Sequence, residues 1–177
     1  VFTYGGIIAQ NTFGFSSGDV ILFAIVANIV AGVATIGVGR LDDRFGPRNV
    51  IMASLGILVV AGVLVFLLHS AGTAAFWVLG LLLSACVGPA QSAARSFLAR
   101  LIPEGQEGEI FGLYATTGRA VSFMAPMMYG VFIYLGTRVV GPGASYWGIL
   151  GIVAVLATGL LLMLRVGDPV ADEEPAA

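Results

Sequence analysis

Residues 39–48 read Gly-Arg-Leu-Asp-Asp-Arg-Phe-Gly-Pro-Arg, with five ionisable side chains in ten positions. The segments on either side, 20–38 and 49–68, contain none. Each flank has about the ~20 residues that a helix rising ~1.5 Å per residue needs to cross a ~30 Å hydrocarbon layer. A knot of charge between two such segments has to sit in water, so the three stretches predict a membrane hairpin with the knot as its turn.

The rest of the chain agrees. A hydrophobic fraction of 58% with 10% charged residues and a mean hydropathy of +0.99 lie far outside soluble composition and predict an all-α integral membrane protein. In 177 residues there is room for about six spans. The net charge of −2 sums eight arginines, no lysine and an acidic tail. The one cysteine, Cys86, lies in an apolar run and reads as a small buried hydrophobe. Nothing at the start resembles a secretory signal: Val1 opens without a basic region, as if the chain were entered partway through a helix.

Taken in order, residues 1–15 predict the trailing part of a first, truncated span. Ser16 to Asp19 supply a turn and an N-cap for a second span, which carries Ala24, Asn28, Ala31 and Thr35 at helical spacing. Small residues on one face allow close packing; Asn28 is either an interhelical hydrogen bond or a solute contact. The third span, 49–68, is featureless and predicts extensive lipid contact. His69 ends it as an interfacial residue rather than a metal ligand. The fourth span starts near Ala74, has Trp77 as an interface anchor, and places Ser84, Gly88, Gln91 and Arg95 on one face. Gly88 and Pro89 fall inside it and predict a kink or hinge.

Pro103 and Glu104 end that helix. The fifth span, 110–135, aligns Gly112, Thr116, Arg119, Ser122 and Pro126 on one face, with Pro126 a further hinge candidate. Gly141-Pro142-Gly143 is a turn, Tyr146 and Trp147 open the sixth span, and Arg165 closes it. Residues 1–167 thus form one six-span domain, and 168–177 a disordered acidic tail. Arg40, Arg44, Arg48, Arg95, Arg100 and Arg165 fall on one side and Arg138 on the other, which predicts a cytoplasmic 39–48 turn and two cytoplasmic termini.

Arg119 lies about 15 Å along a helix from Glu109, near the bilayer centre. A guanidinium there costs at least ~2.5–3.5 kcal/mol, so it should face a wet cavity or a partner. Arg119, Gln91, Thr116, Ser84 and Asn28 are therefore the candidate solute-cavity residues. For Arg95, near its helix end, the expectation is a salt bridge to Glu104, Glu107 or Glu109. No catalytic constellation can be assembled, since His69 stands alone and a phosphate-binding Gly-x-x-x-x-Gly-Lys loop needs a lysine. No enzyme activity, cofactor, metal or nucleic-acid partner is expected.

Gly39, Leu41, Asp43, Arg44, Gly46 and Arg48 resemble a loop signature of the major facilitator superfamily, with Pro47 in a slot that is usually basic. Residues 88–130 are more particular. Gln91, Arg95, Ser96, Pro103, Glu109, Phe111, Gly112, Tyr114, Gly118, Arg119, Ser122, Phe123 and Pro126 resemble the vacuole-effluxer (autophagy-related permease) branch. That resemblance implies the C-terminal half of a twelve-span transporter, built from two inverted three-helix units and moving a small solute, with amino acid efflux the best-known case. It also implies that Gly39, Asp43, Arg44, Gly46 and Arg48 serve as a cytoplasmic gate. The expected partners are lipid, a small solute, and either the N-terminal half or a second copy. A bacterial-type plasma membrane is the expected location. A non-transporting scaffold or receptor-like protein that keeps the fold is the alternative.

Overall fold

Ser16 starts the first long helix by reciprocal capping. Its hydroxyl accepts from the Asp19 backbone N–H at 3.2 Å, while the Asp19 carboxylate accepts from the Ser16 N–H at 3.0 Å and the Ser16 hydroxyl at 2.7 Å. The computed structural model describes residues 6, 8–10, 13–103 and 105–166, with Leu41 described by its backbone alone. Its elements are α1 (Ser17–Phe45), α2 (Pro47–Leu67), α3 (Thr73–Leu101), α4 (Glu107–Ala120), α5 (Met124–Val139), a 3-10 turn (Ala144–Trp147) and α6 (Gly148–Leu164). Helical residues among 6–13 precede α1 where the truncated first span was expected, and the acidic 168–177 tail lies outside the described residues.

Five stretches are long and apolar enough to cross a membrane: α1, α2, α3, α4 with α5, and the 3-10 turn with α6. Their outer surfaces suit lipid. Ile29, Val33 and Ile36 of α1 are 61%, 66% and 75% exposed, which no aqueous surface of a folded chain would favour over so long a stripe.

The charged turn is smaller than the sequence suggested. Helix α1 continues to Phe45, and Gly46 alone links it to α2. At 29 residues, α1 is roughly 43 Å long and outruns the hydrocarbon layer, so Arg40 to Phe45 extend it as solvated helix instead of uncoiling. Gly46 turns the chain with φ at 81°, a left-handed conformation that disfavours any side chain. Pro47 then sits at the first position of α2, where its missing N–H is no loss.

The third span is also placed differently. Far from being lipid-wrapped, α2 is the most buried of the five, packing against α3 on one side and α6 on the other. Its apolar surface carries no polar marker to distinguish lipid from protein neighbours. Around it α1 packs on α3, and α5 on α6, so the helices form a row in the order α1, α3, α2, α6, α5. Two apolar clusters fill the row. One is aromatic, with Phe13 and Phe23 tilted against Phe76, Phe15 edge-on to Phe76, and Trp77 packed edge-on against Phe15 and Phe23. The other, near the Gly46 turn, joins Val50, Ile51, Ala93 and Phe97.

His69 lies flat on Tyr146 at 4.0 Å between ring centroids, with Nδ1 2.9 Å from the Phe66 carbonyl. It joins the end of α2 to the start of the last span. At the opposite end, Arg48 donates from Nε to the Val166 carbonyl at 2.8 Å, closing the far end of α6 onto α2. Replacing Arg48 by Ala removes one charge-assisted bond of about 1.5–3 kcal/mol. The expected outcome is a melting temperature lower by about 3–8 °C, read by differential scanning fluorimetry in detergent.

Candidate functional site

The expected fifth span is two helices. Pro126 has no N–H to give the Ser122 carbonyl, and its ring crowds that carbonyl, so the ladder fails one turn upstream. Residues 121–123 form a turn, bonded by Ser122 N–H to Arg119 O at 3.2 Å and Met124 N–H to Val121 O at 3.0 Å. The Ser122 hydroxyl also donates to Arg119 O at 2.7 Å. The break therefore falls after Ala120, one residue beyond Arg119.

Every residue of α4 except half-buried Ile110 is exposed, none is buried, and α4 packs along none of the other described helices. The Thr116 hydroxyl is spent on its own helix, donating to Gly112 O at 2.8 Å. The Arg119 guanidinium makes no hydrogen bond or ion pair among the described residues. The strongest charge in the expected cavity is thus presented outward, free, at a helix break.

The other candidates divide. Gln91 is exposed on α3 and also has no described partner. Ser84 is buried at 2% exposure and donates to Gly80 O at 2.8 Å. It borders an apolar cavity of about 100 Å³ between α1, α2, α3 and α6, shared with Phe23, Leu58 and Val153. The single face expected for Ser84, Gly88 and Gln91 is covered at the first two and open at the third. Asn28 is exposed and donates to Ala24 O at 2.8 Å, so among the described residues it makes no interhelical bond.

Gly88 is a contact point. A Cβ there would meet Thr35 Oγ1 and lie 2.9 Å from the Ala31 carbonyl, so the small stripe of α1 rests directly on it. Helix α3 runs unbroken through Gly88 and buried Pro89. Of the hinge candidates, only Pro126 accompanies an interrupted helix. Restoring its donor by Pro126→Ala is expected to join α4 and α5. Spin labels at residues 113 and 131 would then report one narrow distance of about 27 Å, the length of 18 helical steps; an unchanged distribution would show that another residue causes the break.

In the charged motif, Gly39, Asp43 and Arg44 are exposed, Arg44 lying over the Phe45 ring at 5.4 Å. Asp43 caps nothing, since α2 has no side-chain cap. Arg95 forms no pair with Glu107 or Glu109, and Glu104 lies outside the described residues; Glu107 instead accepts from the Gly105 N–H at 3.2 Å. Sequence reading passed over Asp42. It is 9% exposed and lies against Thr35, Pro89 and Ser92, with Oδ1 unpartnered among the described residues. Its signal was available: Asp42 follows Thr35 by seven residues, two turns along the stripe of small residues that faces α3.

A row of apolar helices of membrane-spanning length, with one unpacked helix and a charged hairpin turn, is the architecture of a multi-pass membrane protein and is consistent with the major facilitator fold. The chain belongs to the vacuole effluxer Atg22-like family, whose model matches residues 1–168. It is 27% identical over 169 residues to the uncharacterized MFS-type transporter YxiO of Bacillus subtilis, covering 93% of this chain and 38% of that one. Autophagy-related protein 22 of Cryptococcus neoformans is 27% identical over 146 residues, 73% of this chain and 26% of its own length. The MFS-type transporter Rv1250 of Mycobacterium tuberculosis is 27% identical over 134 residues, 72% of this chain and 21% of its own. The chain therefore spans well under half the length of these relatives. No solved structure matches it.

Proposed function

We propose that residues 1–167 form the C-terminal six-span half of a secondary transporter that moves a small solute, with amino acid efflux the leading case, by alternating access. The observation that carries this reading is α4: joined with α5 it has membrane-span length and composition, it is exposed at every position but Ile110, and its Arg119 guanidinium has no partner among the described residues, as one wall of a solute site would require. A guanidinium at that depth needs water, solute or an opposing helix. In transporters of this architecture the solute site lies between two halves near the bilayer midplane, and the halves rock around it.

The opposing wall is then the N-terminal half or a second copy about an axis along the membrane normal. Arginine distribution supports a cytoplasmic side for the Gly46 turn and for both termini, and a bacterial-type plasma membrane as the location. Gln91 and Arg119 supply solute contacts, and the break before Pro126 lets α4 move relative to α5.

Counterflow in proteoliposomes tests the reading. The transporter containing this chain should exchange labelled amino acids across the bilayer, saturably and above protein-free vesicles. Folded protein that exchanges no amino acid or sugar would overturn it and favour a scaffold or receptor role.

A further inference from the structure

We propose that Asp42 is the ligand of a single sodium ion held between the ends of α1, α2 and α3. This rests on the reading of the chain as part of a gradient-driven transporter, for which it names the coupling ion. Asp42 is nine-tenths buried, and its Oδ1 has no hydrogen-bond partner among the described residues. It borders a small, partly open cavity of about 10 Å³, lined also by Val50 of α2 and by Pro89 and Ala93 of α3. That volume admits one occupant the size of a water molecule.

Charge decides which occupant. An ionised carboxylate taken out of water without a counter-charge is heavily penalised. Among the described residues no cation lines the cavity. On α1 itself Arg40 and Arg44 are exposed; on α2, Arg48 is committed to the Val166 carbonyl; on α3, the nearest charge, Arg95, is exposed. The remaining polar lining consists of oxygen donors. Thr35 gives its proton to Ala31 O at 2.7 Å, which leaves its oxygen lone pairs available to accept, and exposed Ser92 adds a second hydroxyl at the open side. One carboxylate and two hydroxyls form a hard, oxygen-only set with a single negative charge, which suits a small monovalent cation.

The position links occupancy to movement. With sodium bound, the Asp42 charge is neutralised and the three helix ends can close over it. When the ion leaves, the bare carboxylate is drawn towards water and the ends part.

The test uses the whole chain in lipid nanodiscs, exchanging NaCl for choline chloride or KCl at constant ionic strength. Equilibrium binding of radioactive sodium should saturate at one ion per chain. The melting temperature should rise with NaCl by about 3–6 °C for each tenfold increase above half-saturation. Asp42→Asn should abolish both effects. Ser92→Ala, which keeps the charge, should raise the half-saturating sodium concentration about tenfold, equivalent to ~1.4 kcal/mol. Absence of saturable sodium binding, an equal stabilisation by potassium, or sodium binding that survives Asp42→Asn would each overturn the proposal and leave a bound water as the occupant. If Asp42→Asn fails to fold, an unchanged half-saturation in Ser92→Ala overturns it. None of these readouts requires transport, so their failure and the failure of the counterflow experiment are separable.

Discussion

Replacing Arg119 by Ala lowers the initial rate of solute exchange by about a hundredfold and leaves the melting temperature within about a degree of the parent. The two halves of that expectation come from the same place. Because α4 packs along no other described helix and the Arg119 guanidinium bonds to no described group, removing it deletes no internal hydrogen bond or ion pair. Its work is done on what enters the cavity. Truncating one member of a desolvated charged contact costs about 2–5 kcal/mol, and ~2.7 kcal/mol is a hundredfold. Arg119→Lys keeps the charge without the planar fork and should recover part of the rate. Rates from proteoliposomes and melting curves on the same preparations check this. A variant that loses stability in step with transport would show Arg119 to be a structural tie.

Gly151→Val is the most damaging substitution expected for the fold itself. Where α6 crosses α5, a Cβ on Gly151 would lie 2.6 Å from the Met128 carbonyl carbon and 2.9 Å from the Tyr129 nitrogen, both backbone atoms that cannot turn aside. Gly148 lies under the Tyr129 ring and Gly136 against Trp147, so three glycines let these helices touch. In lipid, where apolar side chains gain little by leaving the acyl chains, such close approach is a main source of helix association. Overpacking of this kind costs about 3 kcal/mol, or a fall of roughly 6–12 °C in melting temperature. Gly159→Val in the same helix is the control, because a Cβ there meets nothing within 4 Å; it should change stability by less than about 0.5 kcal/mol.

What could be read in the sequence follows what each residue reports. Ser16 with Asp19, and Pro47, mark helix starts by local hydrogen bonding and backbone geometry, and the structure uses them so. The apolar lengths gave the spans, because bilayer thickness acts on composition alone. Neighbours were another matter. Residues 49–68 carry no polar group, so nothing in them separated burial in the centre of the row from exposure to lipid, and α2 turned out central. Helical spacing put Ser84 and Gln91 on one face, but whether another helix covers that face depends on tertiary packing, which spacing does not encode. Pro126 signalled weakness; that the ladder parts after Ala120, where the Ser122 hydroxyl donates to the Arg119 carbonyl, was not marked by any residue's spacing. Asp42 was hidden by its neighbours, since in a run of five charges the eye goes to the motif residue Asp43, while only the two-turn spacing from Thr35 marks Asp42 as inward.

The central claim, that α4 is one wall of a solute pathway, is tested most directly by accessibility at Arg119 during transport. A single cysteine at position 119, in a background where Cys86 is replaced, should react with a membrane-impermeant thiol reagent, and saturating solute should slow that reaction severalfold, on the order of tenfold. Labelling by a lipid-soluble reagent alone, at a rate that no solute changes, would place Arg119 against acyl chains and contradict the claim.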